Sequence, residues 1–230
     1  IQLPNSGFED WYTDSDGLPK PAKDASSSFW DCGNVNYFGK HIMTTQNDET
    51  ALGQGSSVKM ETQETMKIIA AGNIFTGTFE RDGMGGILTL GRNFECRPNK
   101  LKGYYKYTSA KVSVSKGHLN EGEDDLCSLY IALTDEQITV NTNKGIYFDP
   151  NSSAVIAYGS ISDEESKGAD SFKEFTVDLE YKDLKRIPKY IIVVASSSKY
   201  GDYMEGGKGS TMWLDDLELV YPKSMEEVRK

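Results

Sequence analysis

The sequence predicts an all-β domain built as a sandwich of two antiparallel sheets. Three observations carry this. Side chains alternate with a period of two through most apolar segments, clusters of Gly, Asn, Asp and Ser separate those segments, and no stretch in the body of the chain carries a helical stripe. The chain has 230 residues, of which 37% are hydrophobic and 11% aromatic, enough for one sandwich with a full core. Residues 1–222 read as a single domain and 223–230 as a tail, with room for one helical turn after Pro222.

Each strand follows from its pattern. In Lys173–Tyr181, Phe175, Val177, Leu179 and Tyr181 share one face, and Glu174, Thr176, Asp178 and Glu180 the other. Leu101–Thr108 repeats this with Leu101, Gly103, Tyr105 and Tyr107 on the apolar side. Lys111–Ser115 alternates Val112 and Val114 with polar residues and reads as a short strand. Leu126–Leu133 and Tyr190–Ala195 are apolar at nearly every position, the mark of strands covered on both faces. Gly86–Leu90 and Ala154–Ile161 complete the set. Residues 82–86, 120–125 and 196–209 carry the turn and loop composition between them.

Charge and motifs exclude several classes. With 25 basic and 35 acidic residues the formal charge is −10, unsuited to a phosphate backbone or an anionic membrane surface. A nucleic-acid partner and direct membrane insertion by this domain are therefore not expected, and no apolar run reaches spanning length. Phosphate-loop, HExxH and GxSxG motifs are missing from the sequence. Cys32, Cys96 and Cys127 form neither a disulfide scaffold nor a CxxC metal site, and His41 and His118 are the only bases a cysteine nucleophile could use.

Two terminal motifs narrow the reading: Asn5-Ser6-Gly7-Phe8-Glu9-Asp10-Trp11, and Trp213-Leu214-Asp215-Asp216-Leu217-Glu218-Leu219. This pairing resembles the jelly-roll, galactose-binding-like carbohydrate-binding modules. The resemblance implies adjacent first and last strands, with Glu9 and Asp215 helping to hold a structural calcium ion. Longer likenesses lie in Ala70–Gly77, Arg97–Tyr107, Tyr130–Asp135, Val194–Tyr203 and Gly206–Ser210. Together they resemble the "putative carbohydrate metabolism domain" family of exported proteins from polysaccharide-degrading gut bacteria. The family implies an oligo- or polysaccharide partner and an upstream domain, immunoglobulin-like in most members. It also implies export to the periplasm or cell surface, with a lipid anchor upstream as one route. It assigns no catalytic residues.

The residues allow specific sites. Asp215 shares an alternation face with Leu217 and Leu219, so its carboxylate needs a cation or hydrogen bonds. Calcium, with Glu9 as a second ligand, is one solution, and capping of backbone N–H groups at the sheet end is the other. Sugar rings pack their C–H faces on aromatic rings, while polar side chains bond the hydroxyls. Tyr200, Asp202 and Tyr203, in a Ser- and Gly-rich loop, are the leading ligand residues; Trp11, Tyr12, Trp30, Tyr37 and Phe38, set among Gly, Ser, Asp and Asn, are further candidates, with Trp11 and Trp30 as core plugs the alternative. Asp202 with Glu205, and Asp215 with Asp216, are the candidate hydrolytic pairs, the second weakened because strand neighbours point to opposite faces. The acidic run Glu121–Asp125 reads as a solvated turn.

These readings predict a noncatalytic carbohydrate-binding domain of an exported glycan-utilisation protein. A glycoside hydrolase and a structural or adhesion module are the alternatives. A hydrolase requires a cleft with two close carboxyl groups, one of raised pKa, whereas a binding module requires exposed rings.

Overall fold

The computed structural model describes residues 1–223, so the helical turn expected after Pro222 lies outside the described residues. Strand accounts for 46% of the chain and helix for 6%, which makes the class nearly all-β. Two antiparallel sheets dominate. The smaller has five strands in the order Ala169–Asp178, Lys100–Thr108, Thr211–Val220, Ser57–Glu61, Thr44–Asn47. The larger runs Ile138–Asn141, Gly85–Leu90, Asn73–Asp82, Tyr190–Ser196, Ser128–Thr134, Val155–Ser160, Glu180–Tyr181. Trp30–Asp31 and Arg92–Asn93 add to it alongside that path.

The core lies between the sheets. Leu101, Tyr105 and Tyr107 from the smaller sheet meet Leu129, Ile131 and Val193 from the larger. Each such side chain contributes about 1.5–3 kcal/mol by leaving water. The alternation predicted for Leu101–Thr108 is observed, with all four apolar-face positions buried and the intervening lysines and Tyr104 partly exposed. The two continuous apolar runs are covered on both faces. Leu129, Ile131 and Leu133 enter the core, while Tyr130 and Ala132 belong to a second apolar cluster on the opposite face. Ile192 and Val194 do the same beside them.

Three local features differ from simple alternation. Lys111–Ser115 is not a strand; it makes only isolated bridges, Lys111 to Asp124 and Val114 to Gly206, while Val112 and Val114 bury against the loops. In the last strand a β-bulge shifts the register between Lys102 and Tyr104 of the neighbouring strand, so that Asp216 and Leu217 both oppose Gly103. Asp216 takes the left-handed conformation there, φ 47°. Parity changes across the bulge, and Met212, Leu214, Leu217 and Leu219 all reach the core. Gly103 is required at this crossing, because a Cβ would lie 2.7 Å from Leu217 Cδ2.

The N-terminal segment runs beside the last strand, but without a backbone ladder. Gln2 does the bridging, accepting from Leu219 N at 2.7 Å and donating to Leu219 O at 2.8 Å, and Leu217 N donates to Ser6 O. Pro4 has no N–H, and Asn5 and Phe8 hold positive φ, so a regular strand cannot form there. The expected adjacency is met by the Gln2 side chain and a single backbone bond instead.

Candidate functional site

The second face of the larger sheet, away from the core, forms the site. Phe79, Leu88, Leu90, Tyr130, Val140 and Val194 line a cleft of about 580 Å³ there. Its walls are three hairpins and one loop. The hairpins are Val35–Asn36 with Lys40–His41, Gln63–Thr65 with Ile68–Ala70, and the turn joining Asn73–Asp82 to Gly85–Leu90. The loop is 196–204, which contributes Lys199, Asp202 and Met204. A smaller cleft of about 260 Å³ adjoins it and shares Ser128, Tyr130, Lys199 and Asp202. Double-sided apolar strands thus supply the core with one face and the cleft floor with the other.

The loop after Ser196 is held rigidly from below. Asp125 is buried and accepts from Ser198 Oγ at 2.6 Å, Ser210 Oγ at 2.8 Å, Gly207 N at 2.8 Å and Leu126 N at 2.8 Å. Burial pushes its pKa up, and these donors offset part of that. Asp125 is therefore not part of the solvated turn expected for Glu121–Asp125; it anchors the site loop. Glu205 is equally buried. It takes His118 Nδ1 at 2.9 Å and Leu119 N at 2.6 Å. Burial opposes its charge, but these donors outweigh it and its pKa falls. At the other side, Gly201 lies so close to Ala71 that a Cβ would meet the alanine Cβ at 2.4 Å.

On this base Gly201–Tyr203 makes one 3-10 turn, ended by Met204 at φ 57°. The turn brings together the three leading residues of the sequence reading. Tyr200 stacks on the His118 ring at a centroid distance of 4.3 Å, and Tyr203 lies 4.4 Å from the same ring and 4.0 Å from Tyr147. Neither tyrosine packs on Trp213, whose ring faces Lys59 and Lys106. Asp202 lines both clefts and makes no hydrogen bond or ion pair with another described residue. Burial raises its pKa, and after burial it is the charge of Asp202 that pushes the Tyr130 phenol further up.

The remaining sequence candidates separate. Trp30 is 1% exposed, donates Nε1–H to Pro4 O at 2.7 Å and packs edge-on against Phe8, so it is a core plug and not a ligand platform. Trp11 donates to Phe8 O, rests partly buried on the core and lines neither cleft. Glu9 and Asp215 do come together near the chain ends: Glu9 Oε2 accepts from Ser56 N and Oγ, Asp215 Oδ2 accepts from Ala51 N, and the negative charge of Glu9 acts on Asp215. Both carboxylates thus cap backbone N–H groups, and the carbonyls of Asn5, Phe8 and Glu9 already accept from Phe8 N, Trp11 Nε1 and Gln46 Nε2. Among the described residues no group of three or more His, Cys, Asp or Glu side chains is arranged to hold a metal.

Neither hydrolytic pair stands in a cleft: Asp215 and Asp216 line neither one. Glu205 is tied to His118 and lines neither cleft, leaving Asp202 alone in the larger one; Asp163 joins it in the smaller, fully exposed at the rim. The thiols of Cys32 and Cys127 are buried, which pushes each up to about 12 and removes them as nucleophiles.

Several site residues escaped the sequence reading. Tyr130, Tyr147, Phe148 and Tyr158 stack around the smaller cleft, and Arg81 sits 4.2 Å over the Tyr37 ring beside the larger. Their signal was present in part. Met66 and Met84 occupy hairpin turns, where Asn and Gly are usual; Phe38 occupies a third, and it and Tyr37, both expected as loop rings, line the larger cleft.

The family model described as "Putative carbohydrate metabolism domain" matches residues 7–220. The chain belongs to this family. The family resemblance carried by the internal motifs is thereby established over nearly the whole chain, and it ties the domain to carbohydrate metabolism. Two solved members of the same fold are similar. One, described as a "putative glycoside hydrolase" from Bacteroides thetaiotaomicron, has 24% identity and a TM-score of 0.73, covering 95% of this chain and 71% of that one. The other, from Bacteroides vulgatus and described in the same words, has 21% identity and a TM-score of 0.66, covering 96% and 94%. At these identities the likeness fixes the fold alone. No curated protein matches the sequence.

Proposed function

We propose that the domain is a noncatalytic carbohydrate-binding module of an exported glycan-utilisation protein. It would bind an oligo- or polysaccharide in the joined clefts beside Tyr200, Asp202 and Tyr203. One observation carries the reading: a carboxylate without a protein partner stands between a ring cluster and a sheet-floored cleft. Ring faces suit the C–H faces of sugars, and an unpaired acceptor suits their hydroxyls. The rigid anchoring of the loop through Asp125 and Glu205 lowers the entropy cost of binding. Hydrolysis would require a second carboxyl group about 5–9.5 Å from Asp202 across the scissile bond, and the larger cleft supplies none.

The test is a glycan array on the purified domain, followed by a reducing-end assay on every hit. Binding without sugar release is expected; release abolished by Asp202→Asn would establish the hydrolase reading instead. Tyr200→Ala and Tyr203→Ala should each weaken binding by roughly 1–2 kcal/mol with little loss of stability. Full affinity in the double variant would remove the loop from the site. Calcium at Glu9 and Asp215 belongs to the same proposal, as a structural ion away from the clefts.

A further inference from the structure

Resting on that reading, we infer that the saccharide carries an apolar substituent, an acyl or aryl ester, and that the larger cleft recognises it. The floor there is a continuous apolar surface, and four of the chain's seven methionines, Met43, Met66, Met84 and Met204, line it. Unsubstituted sugars offer too little apolar surface to match such a lining, and methionine suits flexible apolar groups of variable shape. The three hairpin turns that wall the cleft each hold out one apolar side chain: Phe38 is 94% exposed, Met66 87% and Met84 60%. Phe38 and Met66 achieve this in left-handed backbone, at φ 52° and 49°, and Met204, half-buried in the 196–204 loop, is left-handed as well, at φ 57°. Such conformations cost free energy in non-glycine residues and concentrate at ligand clamps.

Size and polarity select the occupant. A concave cleft of about 580 Å³ falls in the range of small-molecule sites, whereas a stable protein interface needs a patch of about 800 Å² on each partner. The cleft is also graded. At the end shared with the smaller cleft stand Asp202, Lys199 and Ser128, suited to hydroxyls. Beside the turns Arg81, exposed and stacked over the Tyr37 ring, donates one N–H to Gly83 O and has further N–H groups to offer an ester carbonyl. A polyhydroxylated end and an esterified end fit this grading.

The experiment measures calorimetric affinity for matched pairs: acetylated and feruloylated xylo-oligosaccharides and acetylated manno-oligosaccharides, each against its alkali-de-esterified counterpart. At least one esterified member should bind about tenfold or more tighter than its counterpart. The Phe38→Ser/Met84→Ser variant, altered at exposed positions only, should abolish that difference, the esterified member then binding no tighter than its counterpart. Equal affinity within every pair overturns this inference while preserving the saccharide site. No binding by any member overturns both. Equal affinity for methyl ferulate or a short-chain acid alone would make the cleft a lipid or phenolic site and overturn the saccharide component. A concentration-dependent dimer lost in the double variant, with no ester preference, would assign the turns to a second copy of the chain.

Discussion

Asp215 shows how a single residue can be misjudged by pattern alone. Its place between leucines predicts the core face, but it lies at the bulge, 2% exposed. Burial first, then the charges of Asp216 and Glu9, raise its pKa to about 6 against the opposing bond from Ala51 N. The folded value is above the unfolded one, so ionisation favours unfolding. The associated stability is present below pH 4 and is lost as pH rises towards about 6, a difference of roughly 2–3 kcal/mol. Without calcium, Asp215→Asn should flatten the melting temperature between pH 4 and 7 and raise it at pH 7. A bound cation reverses the sign, because it holds the carboxylate ionised. Millimolar calcium should then raise the wild-type melting temperature at pH 7 over that in chelator, and Asp215→Asn should lose this response. Identical melting curves in calcium and chelator would remove the ion from the structure.

At the level of elements, period-two reading worked where a strand has two different faces or two buried ones. It found Lys100–Thr108 and the double-sided strands because their patterns follow directly from pleating. It missed Ser57–Glu61 and Thr44–Asn47, whose polar positions are buried by loops such as the one bringing Glu49 O to Ser57 Oγ. The Tyr200–Tyr203 turn was legible because its composition leaves its rings little local apolar surface. Phe38 stood out as a ring in a polar loop, but Met66 and Met84 did not, because their exposure depends on three turns converging from distant parts of the chain. The bulge could not be read either, since only the register against Gly103 reveals it. Its backbone makes a separate prediction. At φ 47°, Asp216→Gly should leave stability unchanged or improved, whereas Asp216→Val should cost about 1–2 kcal/mol. A valine variant unfolding at the wild-type urea midpoint would show that the bulge relaxes freely.

At the scale of the whole molecule, the two chain ends close one side of the sandwich. The N-terminal segment contributes Phe8, fully buried, and Leu3, 4% exposed, to the same core that the last strand enters. Pro4 O receives the Trp30 indole, Ser6 O receives Leu217 N, and Phe8 O receives Ser56 Oγ at 2.8 Å. None of these contacts belongs to a ladder, so propensity within the segment cannot sustain them; they exist only when the last strand is in place. The segment should therefore behave as part of the cooperative core. Phe8→Ala should cost about 3–5 kcal/mol, in the usual range for a buried aromatic. Gln2→Ala, which removes two hydrogen bonds to Leu219, should cost about 1–2 kcal/mol. Deletion of residues 1–8 combines these losses with exposure of Trp30, on the order of the 5–15 kcal/mol that hold a domain folded. The truncated chain should lose its cooperative thermal transition, or melt tens of degrees lower. A truncated protein melting within a few degrees of the full chain would show that the two sheets close without the segment, and that Gln2 and Phe8 merely decorate a complete sandwich.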